Sequence, residues 1–309
     1  MPRHFIELFD LEPGEVRSLL DLALDLKRRG DRGGLRAPRL AGRILALVFD
    51  KPSMRTRISF EAAIAHLGGS AVYMTGKDVG LGVREPLVDF ARVASQYVDA
   101  IAIRTFSQGL VSELARHAEV PVINALTDSD HPCQAMSDLL TIRESIGRLE
   151  GVTLAFVGDG NNVARSLAVA CALSGMNFVL ACPDGYAFPD DFRRRFSSRF
   201  PGVSLVESHD PASAVAKADV VYTDVWCSMG QEDQAEERRS RFEPFRVDLP
   251  LMARARPNAI FLHCLPAHRG EEVTVEVIDG PQSLIVPQAA NRLHFQKALL
   301  LHLLGGDIG

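Results

Sequence analysis

Nine short apolar runs recur along this chain, and their spacing limits the possible folds more than any other feature. They are ILALVF (44–49), AVYM (71–74), AIAI (100–103), PVIN (121–124), VTLAFV (152–157), NFVLA (177–181), VSLVE (203–207), DVVYT (219–223) and AIFLHC (259–264). Most are continuous rather than alternating, so each predicts a strand covered on both faces. Such strands belong to parallel sheets flanked by helices. Longer segments of helical pattern separate them. The rhythm predicts an α/β protein with two doubly wound domains, their mostly parallel sheets covered by helices. At 309 residues the chain exceeds one comfortable core, which also argues for two domains. Gly147 and Gly151 bracket the junction, giving one domain over 1–147 and a second over 148–288. The segment 289–309 contains a final helix that packs back on either half.

Charge and thiols narrow the classes of function. The formal net charge is -5, which argues against a general nucleic-acid binder, because that needs a basic surface to displace counterions. Any anion site is therefore a local pocket. No apolar stretch approaches the ~18–20 residues needed to span a bilayer, and MPRHFIELFDLEPGE at the N-terminus lacks an apolar signal core. The five cysteines (Cys133, Cys171, Cys182, Cys227 and Cys264) are an odd number, which fits reduced thiols in a cytoplasmic protein.

Unusual polar residues gather where strands end. KPSMRTR (51–57) follows the first run and opens a helix. Ser53 is a good N-cap, and the free N–H groups and positive dipole of a helix N-terminus favour a phosphate. Arg55 adds a forked, permanently charged donor, while Arg57 is spaced to pair with Glu61 on the helix face. Arg104 closes the third strand, and HPCQ (131–134) stands at another strand-to-helix mouth with His131 and Gln134 as donors. In the second half, GDGNNVA (158–164) matches G-x-G-x-x-A, the weak fingerprint of a nicotinamide fold, with Asp184 near the place of a ribose-binding acid. Asn161 and Asn162 argue against it, since a close pyrophosphate contact prefers small side chains. Asp224 begins DVWCSMG (224–230) at a strand end and suits an ammonium group. HCLPAHRG (263–270) holds His263, Cys264 and His268. Neighbours on an extended strand point to opposite sides, and no second Cys/His pair has finger spacing, so no metal is expected. A thiol there, beside cations, has its pKa lowered. The stretch QEDQAEERRSRF (231–242) is too polar for a core and reads as a mobile surface loop or frayed helix.

Taken in order, SMRTR, HPCQ, GDGNN, DVWCSMG, HCLPAHRGEEVT and NRLHFQKALL closely resemble the ornithine carbamoyltransferases of the transcarbamylase superfamily, over about residues 4 to 304. HPCQ with the phosphate loop marks the superfamily; D-x-x-x-S-M-G with HCLP marks its ornithine branch. The resemblance implies a carbamoyl-phosphate domain first, an L-ornithine domain second, and a C-terminal helix returning to the first. It implies a cytoplasmic enzyme of arginine metabolism, with no cofactor, working as a homotrimer or an assembly of trimers with sites near subunit interfaces. Ser53, Met54, Arg55 and Thr56 would hold the phosphate. Arg104 and His131 would contact the carbamoyl oxygen, and Gln134, within the His131-Pro132-Cys133-Gln134 turn, the carbamoyl amide. Cys264 and Leu265 would close round the same group, and Arg292 would add a contact from the returning helix. Asn162, Asp224, Ser228 and Met229 would bind the amino-acid end of ornithine, under a lid formed by the polar loop after Gly230. Arg104, His131 and Cys264 are the catalytic candidates, Cys264 as proton acceptor.

The chain departs from the family pattern in places. Met54 replaces the first Thr of S-T-R-T-R, losing a hydroxyl. DVGLG puts Gly80 where the family supplies a glutamine that reaches a neighbouring subunit. Phe90 stands where Thr commonly follows Asp, and Ala290 and Phe295 replace the usual Glu and Ala. The expectation is that fold and reaction survive while affinity for carbamoyl phosphate weakens. Three rival readings follow: a carbamoyltransferase for another amine, such as N-acetylornithine or putrescine; an NAD-dependent dehydrogenase; and a non-catalytic binding protein.

Overall fold

The computed structural model describes residues 2–29, 38–81, 84–228, 230 and 232–305. The chain divides into two compact units, Met1–Leu140 with Ala290–Gly309, and Thr141–Ala289. Chain order in the first runs α1 (Pro13–Arg28), β1 (Ile44–Phe49), α2 (Met54–His66), β2 (Ser70–Thr75), α3 (Gly76–Val79), α4 (Leu87–Ala94), β3 (Ala100–Arg104), α5 (Gln108–His117), β4 (Val122–Leu126) and the start of α6 (Pro132–Ile146). Local chemistry sets the ends of these helices. α1 starts with Pro13 at its first turn and a capping box between Glu12 and Glu15. Its buried stripe, Val16, Leu19, Leu20, Ala23 and Leu24, repeats at three and four residues. α2 is capped as its sequence predicts: Ser53 Oγ accepts from Thr56 N at 3.3 Å.

The four strands are parallel in the order β2-β1-β3-β4. β1 sits inside the sheet, which is why Leu45 to Phe49 are all buried and the run is continuously apolar. Val48, Ile101, Ile103, Val111, Leu114, Phe90 and Val122 belong to the core on one face.

The second unit continues with β5 (Thr153–Val157), α7 (Asn162–Leu173), β6 (Asn177–Ala181), α8 (Asp190–Arg199), β7 (Val206–Ser208), α9 (Pro211–Val215), β8 (Val220–Thr223), α10 (Ala235–Phe242), α11 (Leu249–Met252), β9 (Ile260–His263) and α12 (Val275–Ile278). Its five strands are parallel in the order β7-β6-β5-β8-β9. A core of Val157, Val215, Val221, Phe245, Phe261, Val273 and Ile278 packs on this sheet. The last helix is α13 (Ile285–Leu304).

Two segments differ from expectation. VSLVE at 203–207 is not a buried strand: only Val206–Ser208 pairs, at the sheet edge, and Val203 and Val206 stay exposed. An edge strand has a neighbour on one side only, so an apolar run there need not be covered. The polar stretch 231–242 is largely α10, and it does reach inward, because Arg238 and Phe242 are buried.

In an open α/β sheet, ligands bind beyond the carboxyl ends of strands where the strand order reverses. In the first sheet that point lies between β1 and β3, and in the second between β5 and β8. The polar motifs stand at both. Among the described residues, no helix is long and apolar enough to cross a membrane.

Candidate active site

At the first switch point β1 and β3 end level, with Phe49 opposite Arg104. Three candidate groups meet around Arg292, which α13 brings into this unit and which is buried. Its Nη2 donates to Thr56 Oγ1 at 2.9 Å and its Nη1 to Gln134 Oε1. The same Nη1 stands 3.4 Å from His131 Nε2, so Nε2 acts as the acceptor and the neutral ring carries its proton on Nδ1. Gln134 is fixed at its other end too, Nε2 donating to Asp138 Oδ1 at 2.8 Å.

His131 is held well below the ordinary histidine pKa. Burial is the leading cause, and the charges of Arg292, Arg104 and Arg55 add to it. Three guanidinium groups thus act on one buried imidazole, a concentration of positive charge suited to a dianion. Cys133 is different in kind: burial pushes its thiol up to about 12, and its Sγ approaches Asn124 O at 3.5 Å. It is an inert core residue at neutral pH. Pro132 opens α6, where a missing N–H costs nothing. Met54 is the first residue of α2 and is exposed, and Arg57 pairs with Glu61 at 2.9 Å.

Gly80 is explained locally. It ends α3 in the left-handed region at φ 60°, and a Cβ there would meet the Arg84 side chain at 2.7 Å. A longer residue would need that backbone to change.

At the second switch point Asp224, just past β8, is the hub. Its Oδ1 accepts from Cys264 Sγ at 3.0 Å and from Val225 N at 2.9 Å, and its Oδ2 accepts from Asn161 Nδ2 at 2.9 Å. In this arrangement Cys264 is a thiol donor. Asn162, named from sequence, begins α7 and its Oδ1 accepts from Val163 N at 3.0 Å. Its neighbour Asn161 caps the helix and is the residue bonded to Asp224. Sequence reading missed that role because either asparagine of GDGNN can serve as a cap. Ser228 follows in the loop after β8, half-buried; Met229 lies outside the described residues.

The HCLP turn is held from several sides. His263 Nε2 faces Glu272 Oε1 at 3.2 Å, its Nδ1 accepts from Leu265 N at 2.9 Å, and its own N–H goes to Gln288 Oε1 at 2.9 Å. Leu265 takes φ 59°, rare for a leucine. The ligand atoms of Asp224, His263 and Cys264 lie within 4.8 Å of one another, because β9 ends at His263 and the alternation of side chains stops there. A metal there would have to compete for both His263 nitrogens, which are already hydrogen-bonded. His268, Glu271 and Glu272 also gather, with Glu271 paired to Arg239 at 3.0 Å.

The polar stretch after Gly230 is tied to this site by Arg238. Its Nε donates to Trp226 O, its Nη2 to Asp159 Oδ2, and its guanidinium lies 4.9 Å from the Tyr186 ring centre. Burial raises the Asp159 pKa despite that arginine. Gly160 leaves no room for a cofactor phosphate: a Cβ there would meet the Ala187 carbonyl carbon at 2.9 Å, so the chain's own loop fills the space. The N–H groups of Val163 and Ala164 are taken by Asn161 Oδ1, both at 3.0 Å.

The sequence model of the carbamoyl-P binding domain of aspartate/ornithine carbamoyltransferases matches residues 3–144, and that of the Asp/Orn binding domain matches residues 150–303. The chain belongs to the aspartate/ornithine carbamoyltransferase family. Among its relatives in that family, the ornithine carbamoyltransferase of Anoxybacillus flavithermus is 50% identical over 304 residues, covering 98% of this chain and 96% of its own. That of Carboxydothermus hydrogenoformans is 51% identical over 307 residues, 98% of each. The solved ornithine carbamoyltransferase from Pyrococcus furiosus superposes with a TM-score of 0.94 at 48% identity, covering 99% of this chain and 98% of that one.

Proposed function

We propose that the chain transfers the carbamoyl group of carbamoyl phosphate to the δ-amine of L-ornithine, giving L-citrulline and phosphate. The observation that carries this reading is the Arg292 hub, which draws Thr56, Gln134 and His131 together within a cluster of guanidinium groups. The family-wide similarity supports it over the whole chain.

On this reading the first unit holds carbamoyl phosphate and the second holds ornithine. The capped N-terminus of α2, with Ser53, the Met54 backbone, Arg55 and Thr56, receives the phosphate. Arg104 and His131 face the carbamoyl oxygen. The nitrogen lone pair attacks the carbonyl carbon, an oxyanion forms, and the C–O bond to phosphate breaks with its electron pair leaving on phosphate. Preorganised donors aimed at the oxyanion are worth a few kcal/mol each. His131, neutral, serves as a hydrogen-bond partner rather than a source of charge, and the arginines carry the electrostatic load. The amine must also be neutral. With a free amine pKa near ~10.4, about one molecule in a thousand is neutral at pH 7.4. Burial beside cations lowers that value. Asp224, with Asn162, Ser228 and Met229, binds the α-amino end. Cys264 accepts the amine proton only as a thiolate, so its own S–H proton must first pass to Asp224, the carboxylate it already donates to.

We further propose a cytoplasmic homotrimer, or an assembly of trimers, serving arginine biosynthesis. Met54, Ile58 and Val72 are large, exposed and apolar in the first unit, and they support a subunit contact there. Asp224 favours ornithine over N-acetylornithine, whose α-nitrogen is a neutral amide; putrescine keeps an ammonium at that position and differs by lacking the carboxylate. The experiment is a colorimetric citrulline assay with and without ornithine, repeated with the other two amines. No product with ornithine, or faster turnover of either rival, rejects the reading.

A further inference from the structure

We propose that Lys51 is a positioning residue that sets the phosphate loop in register with the loops bearing Arg104 and His131. This rests on the reading of the first unit as the carbamoyl-phosphate site. Lys51 follows β1 and is buried, only 5% exposed, two residues before the Ser53 cap. Its Nζ donates to Asp128 Oδ1, in the loop between β4 and α6 that leads to His131. The same ammonium lies 4.1 Å from the centre of the Phe106 ring, in the loop between β3 and α5 that follows Arg104. One cation therefore touches three loops, each flanking proposed ligand groups.

The surrounding bonds run in the same sense. Asp50 N donates to Arg104 O at 2.8 Å, and Thr105 Oγ1 donates to Asp50 Oδ2 at 2.6 Å. Thr105 N donates to Leu126 O and Asp128 N to Phe106 O, both at 3.0 Å. These join the loops in pairs; Lys51 reaches from the first to the third. An ion pair is a poor way to gain stability here. Taking an ammonium out of water costs several kcal/mol, and an apolar side chain of similar volume often does as well or better. What the pair supplies instead is geometry: a fixed distance between the loop that grips the leaving group and the loop that faces the carbamoyl oxygen.

A second role for the lysine would be plain electrostatic attraction of the dianion, and the partner carboxylate separates the two. If Lys51 positions, removing the carboxylate by Asp128→Asn breaks the tether and raises KM for carbamoyl phosphate. If Lys51 only attracts, removing a nearby negative charge leaves that KM unchanged or lowers it. The experiment measures steady-state citrulline formation by wild type, K51M, K51R, D128N and K51M/D128N, with thermal midpoints recorded for each. The expected result is a rise in KM for carbamoyl phosphate of about tenfold or more in K51M and D128N, well within what a misplacement of about 1 Å costs. KM for ornithine stays within about twofold, K51R recovers part of the loss, and the double variant is no worse than the poorer single one. A D128N enzyme with wild-type or lower KM overturns the inference. So do parallel rises in both KM values together with a collapsed thermal midpoint, which would mark a merely structural residue. Wild-type protein that forms no citrulline overturns the reading of the site beneath it.

Discussion

Replacing Arg292 with methionine removes the guanidinium while keeping most of the stem. The structure gives that group two bonds, to Thr56 Oγ1 at 2.9 Å and to Gln134 Oε1, and a longer approach to His131 at 3.4 Å. Hydrogen bonds from a charged donor are worth about 1.5–3 kcal/mol each. Losing two, with Gln134 Oε1 left without that donor while Thr56 Oγ1 keeps its bond from Ser53 Oγ at 3.1 Å, sets a cost to folding of about 3 kcal/mol, the methionine stem recovering part of the sum. The same loss loosens Gln134 and Thr56 and removes one cation from the proposed phosphate pocket. One charged contact of that strength corresponds to roughly 10- to 150-fold in affinity. The assay pairs a denaturant titration with citrulline initial rates against carbamoyl phosphate at saturating ornithine. The expected outcome is a lowered midpoint and a KM for carbamoyl phosphate raised within that range. A variant with wild-type stability and wild-type KM would mean that Arg292 is no hub; a variant altered only in its KM for ornithine would assign the wrong substrate to this unit.

Three further outcomes test the remaining groups. Arg55→Ala raises KM for carbamoyl phosphate by at least about tenfold, the value of one charged hydrogen bond, with little change for ornithine, read in the same assay. Asp224→Asn raises KM for ornithine and narrows the preference for ornithine over N-acetylornithine, measured as the ratio of kcat/KM for the two amines. His131 makes stability depend on pH. Its pKa is lowered in the folded chain, by burial first and then by Arg292, Arg104 and Arg55. Below the unfolded value near ~6.5 the unfolded chain therefore binds the extra proton. Stability is full above that value and falls as pH drops below it, by at most about 1.4 kcal/mol per pH unit for one group. Denaturant titrations between pH 7 and 5 should show this slope reduced in His131→Gln; an unchanged slope refutes the assignment.

The sheet architecture was legible because parallel strands must be apolar on both faces. ILALVF and NFVLA begin and end within the runs that announce them. The Ser53 cap and the Arg57–Glu61 pair were legible because they depend on spacing along one helix. What escaped depends on neighbours distant in sequence. VSLVE is apolar enough for a strand, yet strand order leaves it at an edge. Arg238 looks like one charge among many in a polar stretch, and only the fold supplies Asp159 and the Trp226 carbonyl to bury it. Asn161 was passed over for Asn162, since cap and ligand roles cannot be told apart without knowing which amide meets Asp224. His263 and Cys264 were set on opposite sides of a strand that in fact stops between them.

The first unit is built from two stretches separated by the whole of the second, since Ala290–Gly309 belong with Met1–Leu140. Arg292 therefore reaches Thr56 and Gln134 from a stretch synthesised after the second unit. A nascent chain waits for all of the intervening unit to be synthesised before the proposed phosphate grip is complete. A protein shortened ahead of α13 would lose the Arg292 hub outright.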